Sequence, residues 1–90
     1  MTVFRYRGRL YEVTGSSPID MEGYHYECWD LTQDSGGQLG RIVVPETGML
    51  ADNEILVHLV RPVSAQVLLR WMYFVPELQH HAVPPDRDAD

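Results

Sequence analysis

Up to residue 60 the hydrophobic positions mostly alternate with polar ones, and over residues 67–75 they crowd into one block. Alternation is the signature of strands, whose successive side chains point to opposite faces. Residues 3–13, Val-Phe-Arg-Tyr-Arg-Gly-Arg-Leu-Tyr-Glu-Val, read as a β-hairpin turning near Arg7-Gly8, since glycine readily takes the positive φ such a turn needs. A two-residue loop sets Phe4 opposite Tyr11, with Val13 on their face, whereas a three-residue loop Arg7-Gly8-Arg9 changes the pairing. Residues 14–23, with Gly15, two serines, Pro18 and Gly23, read as a loop.

Residues 24–31 separate into Tyr24, Tyr26 and Cys28 on one face and His25, Glu27, Trp29 and Leu31 on the other. Asp34-Ser35-Gly36-Gly37 is a strong turn signal, leading to a strand over 38–44. A second loop covers 45–53. Residues 54–60, Glu-Ile-Leu-Val-His-Leu-Val, form a nearly continuous apolar run of strand length, which is expected to lie at the centre of the sheet.

The block at 67–75, Val-Leu-Leu-Arg-Trp-Met-Tyr-Phe-Val, reads as a helix opened by Pro62 or capped by Ser64 and ended by Pro76. Val67, Leu68, Trp71, Met72, Val75 and Leu78 make one stripe suited to a core. Leu69, Tyr73 and Phe74 are surplus to that stripe and need cover from the chain's own loops, a second copy or a partner. Together these elements predict an α+β domain over residues 1–78: a small curved antiparallel sheet or open barrel of about five strands with one C-terminal helix. A split sheet whose helix packs between two copies is the alternative. Residues 79–90, with His80-His81, Pro84-Pro85 and three Asp, read as a flexible acidic tail. The expected core is Tyr11, Val13, Trp29, Ile42, Val57, Leu59, Leu68, Trp71, Met72 and Val75.

Ninety residues suffice for one core, and 44% hydrophobic residues mark a globular chain. Thirteen acids against seven bases give a net charge of −6, which disfavours phosphate backbones and anionic membranes as partners. All seven bases are arginine, a usage that fits a GC-rich genome and a bacterial or phage source. No apolar run reaches the roughly 20 residues of a membrane span, and no signal-like start is present, so a cytoplasmic location is expected.

Candidate chemistry is sparse. One cysteine, Cys28, excludes an internal disulfide; a metal site of His25 and Cys28 with His58 as a third member would need a bulge, because strand residues three apart point to opposite faces. Cys28 is therefore expected to be structural. The carboxylates Glu12, Glu22, Glu27, Asp30 and Asp34 read as a solvated surface rather than a catalytic pair. Residues 35–40 lack the Lys-Ser/Thr of a phosphate-binding loop, and no cofactor motif is present. Arg5, Arg7 and Arg9, interleaved with aromatics, offer an anion or nucleic-acid contact. The simpler expectation pairs them with Glu12, Glu22 or Glu27 on neighbouring strands. The expected function is non-catalytic protein–protein contact, as a homodimer or with a larger partner, of immunity, inhibitor or accessory-subunit type. Leu69, Arg70, Tyr73 and Phe74 are the candidate interface, because exposed apolar groups of this kind mark contact surfaces. A nucleic-acid-binding barrel using the arginine hairpin, or a small ligand-binding domain with its pocket between sheet and helix, are the alternatives.

Overall fold

The computed structural model describes residues 2–17, 23–32, 37–45 and 54–85. Strands β1 (Thr2–Tyr6), β2 (Arg9–Ser16), β3 (Tyr24–Asp30), β4 (Gly37–Val44) and β5 (Leu56–Leu59) form one antiparallel sheet in chain order, open between its two edges. Helix α1 (Ala65–Met72) and a 3-10 helix (Pro76–His81) follow.

The hairpin turns through two residues, Arg7 at φ 51° and Gly8 at φ 76°. Two positive φ values match the right-handed twist of the flanking strands. They fix the expected register, Phe4 opposite Tyr11 and Thr2 opposite Val13. Strand β2 runs further than expected: Thr14, Gly15 and Ser16 pair with Glu27, Tyr26 and His25 instead of forming a loop. Gly15 serves packing there, since a Cβ would lie 2.9 Å from the Tyr24 ring. The turn expected at 34–36 and most of the loop at 45–53 lie outside the described residues.

Cys28 pairs with Gly40 and Trp29 with Gln38, so Leu39 is the extra residue of a β-bulge. The bulge turns Leu39 into the core. Gly40, at φ 156°, lets the β5 backbone pass closely: a Cβ there would run into the His58 carbonyl and the Leu59 Cα.

The pairings put Phe4, Tyr11, Val13, Cys28 and Ile42 on one face. There they meet Val67, Trp71, Val75 and Leu78 in one buried cluster. Trp71 is fully buried, and its truncation to Ala would cost roughly 3–5 kcal/mol. Of the expected core, Tyr11, Val13, Ile42, Trp71 and Val75 are buried, and Leu68 and Met72 are half-buried against it. Trp29 is half-buried, paired through Glu12 to the opposite face.

Val57 and Leu59 are exposed, which corrects both their core assignment and the central placing of their strand. β5 is an edge strand, and it supplies no residue to the buried cluster.

Ser64 caps α1, its hydroxyl accepting the Gln66 N–H at 3.2 Å. The helix ends at Met72, short of Pro76, and Pro76 instead opens the 3-10 helix, where its fixed φ is suited. That segment corrects the tail boundary: Leu78 is buried, and the Val83 N–H donates to the Leu69 carbonyl at 3.2 Å. The chain therefore packs back on α1 through residue 83.

Candidate functional site

Among the described residues, four of the seven exposed large hydrophobics lie in β5 and the residue after it. Leu56, Val57, Leu59 and the adjoining Val60 are 53%, 43%, 45% and 64% exposed, on both faces of a strand with a neighbour on one side only. The Val60 N–H donates to the Leu39 carbonyl at 2.9 Å, toward β4. Backbone groups alternate sides along a strand, so His58 also faces β4 while Val57 and Leu59 aim their N–H and C=O groups outward. Among the described residues no strand pairs with that side. Most proteins blunt such an edge with charge, proline or a bulge. Here residues 55–60 carry no carboxylate or arginine, and Pro62 lies beyond the strand.

The four helix candidates lie elsewhere and are all half-buried. Phe74 stacks on Phe4 with ring centroids 6.0 Å apart and meets Tyr73 edge-on at 5.6 Å. The Tyr73 carbonyl accepts a hydrogen bond from the Gln79 side chain, and Leu69 is tied to Val83. Arg70 lies 4.5 Å from the Tyr6 ring centroid while donating to the Gln66 carbonyl and side chain. Much of the apolar surplus is thus covered by the 3-10 segment and the hairpin.

The three hairpin arginines do not share a surface. Arg5 pairs with Leu10 in a register that alternates away from the helix, Arg7 sits at the turn, and Arg9 lies opposite Tyr6 on the helix side. Arg9 donates to Asp30 at 3.2 Å rather than to Glu12 or Glu27. Asp30 is itself buried and also accepts the Thr32 N–H at 2.9 Å, so it is no solvated carboxylate. Two adjoining hollows of about 180 and 350 Å³ share Arg9, Tyr11, Ser64 and Val67 as walls. Arg61, which the sequence pattern did not single out, lines the first, and Arg7 lines the second.

His25 and Cys28 are buried on opposite faces, as strand geometry requires, and His58 pairs with Arg41 at the exposed edge. Burial, with Asp30 nearby as the lesser cause, pushes the Cys28 thiol up to about 12, far from the thiolate a nucleophile needs. Among the described residues no group of three or more His, Cys, Asp or Glu is arranged to hold a metal ion. No described helix is long and apolar enough to cross a membrane.

No family model, curated protein or solved structure matches this chain.

Proposed function

We propose that this chain is a small non-catalytic protein-contact module of immunity, inhibitor or accessory-subunit type that assembles by joining β5 to β5 of a second copy. The exposed apolar edge carries the reading. Outward N–H and C=O groups on Val57 and Leu59 seek a strand, and a strand with the same spacing is another β5. Two-fold symmetric antiparallel pairing centred on His58 sets Val57 against Leu59 and Leu56 against Val60. Each Val57–Leu59 pair then exchanges two backbone hydrogen bonds, and four apolar side chains per chain gain apolar neighbours. Charge supports the same occupant. The uncharged strip is flanked by Glu54 and Arg61, and antiparallel pairing brings the acidic end of one strand beside the basic end of the other.

Sedimentation equilibrium of the wild type and Leu59→Lys tests this. Leu59 is outside the core, so the variant keeps its circular dichroism while its dimer constant weakens by about 2 kcal/mol or more if Leu59 is a central anchor. A monomeric wild type, or an unaltered dimer in the folded variant, would overturn the proposal. A monomer that gains a strand from a different protein would keep the edge and replace the occupant.

A further inference from the structure

His58 is the one polar side chain of β5, and the sheet places it at the end of a charged row. Arg41 of β4 lies directly opposite His58, and Glu27 of β3 lies opposite Arg41. All three alternate away from Ile42, which faces the helices in the buried cluster, so they share the outer face of the sheet. The same-face neighbours of His58 on its own strand, Leu56 and Val60, are uncharged, as is Val43 opposite Leu56. Glu54 and Arg61, four and three positions along the chain, stand about 10 Å or more away at the rise of a strand.

Resting on the proposed β5 pairing, we infer that the dimer is switched by protons through His58, held together while the imidazoles are neutral and weakened when they are charged. His58 sits on the two-fold axis with its backbone groups facing β4, so the two copies of it meet as a non-hydrogen-bonded pair, Cα atoms about 4.5 Å apart. The row across the joined sheets then runs Glu27, Arg41, His58, followed by the same three residues of the second copy in reverse. Neutral imidazoles are accommodated side by side. Protonation sets four positive groups in succession, with the carboxylates only at the outer ends. Like charges directly opposite across strands are destabilising, and imidazole gains its charge between about pH 8 and 5. In the single chain His58 is exposed, so its cation is hydrated there and repelled only on pairing. The overall charge works the other way: protonating all four histidines takes the chain from −6 to −2 and lowers repulsion between copies. A dimer that loosens on acidification therefore reports the local row.

Sedimentation equilibrium near pH 8 and pH 5.5 at one ionic strength, on wild type, His58→Gln and His58→Arg, tests the switch. The wild-type dissociation constant should rise about fivefold at the lower pH, the scale of one like-charged cross-strand pair. That of His58→Gln should stay level or tighten, and His58→Arg should be weak at both pH values. His58 is exposed and outside the core, so circular dichroism should show all three folded. A wild-type dimer equally tight at both pH values, or a pH dependence that survives in His58→Gln, would overturn the switch and leave the β5 contact standing. A chain monomeric at pH 8 in wild type and His58→Gln alike would overturn the contact, and the switch with it.

Discussion

Cys28 shows how one side chain can be read correctly and still hold a surprise in its surroundings. Its role as a small buried hydrophobe was legible, because strand geometry kept it from His25. The depth of its burial was not, since that depends on Val13 and Gly40 arriving from two other strands. Because the folded thiol titrates near 12 against an ordinary 9.0, the unfolded chain releases that proton first as pH rises. Stability is therefore intact below pH 9 and falls between 9 and 12, by at most about 1.4 kcal/mol per pH unit from this group. Tyr11 and Tyr26, raised by burial, act in the same direction. Urea denaturation at pH 8 and pH 11 should show the loss, and Cys28→Ala should reduce the pH dependence. At neutral pH the same thiol should resist an aromatic disulfide reagent until the chain unfolds. Asp30 was misread for the opposite reason: carboxylates on an acidic chain are mostly solvated, and its partner Arg9 is 21 positions away. Asp30→Ala removes the acceptor of two hydrogen bonds, from Arg9, itself half in solvent, and from the N–H of the exposed Thr32, so the loss of bonds to a charged group should cost roughly 1–3 kcal/mol in denaturant melts.

At the scale of elements, period and punctuation located all five strands and the helix, but not their neighbours. The hairpin register was readable because it is local: two residues with positive φ determine it. β5 was misplaced because an apolar run reads the same whether it is covered by its own sheet or left for another chain. Its edge position follows from a strictly sequential meander, in which the last strand has no later strand to flank it. The bulge at Leu39 had no visible signal beyond Gly40 itself. That glycine joins β5 to β4, and Gly40→Ala would force the backbones apart at His58 and Leu59 while straining φ. A loss of about 1–3 kcal/mol is expected by chemical denaturation, with the amides of β5 exchanging faster than those of β2 and β3. The helix surplus is a similar case. Its cover came from Phe4 of the hairpin and from Gln79 and Val83, which lie in the stretch that reads as tail. Phe74→Ser should therefore lower monomer stability through the lost contact with Phe4, and leave the dimer constant of β5 nearly unchanged.

For the whole molecule the two sheet edges are unequal. β1 has an apolar residue at Val3, half exposed, but Arg5 lies two positions further on the same face. A charge so placed discourages pairing with another chain. The β5 edge has no such guard over 55–60, so association is expected there alone. Linkage then makes stability depend on concentration: whatever binds only the folded state raises its thermal midpoint by mass action. The wild-type midpoint should climb as protein concentration is raised, whereas that of Leu59→Lys should stay constant. Salt gives an independent check on the β5 contact. Pairing through Leu56, Val57, Leu59 and Val60 buries apolar groups and should change little between low and high ionic strength. If dimerisation instead fell steeply as salt was added, the contact would be electrostatic, and the apolar edge of β5 would not be its centre.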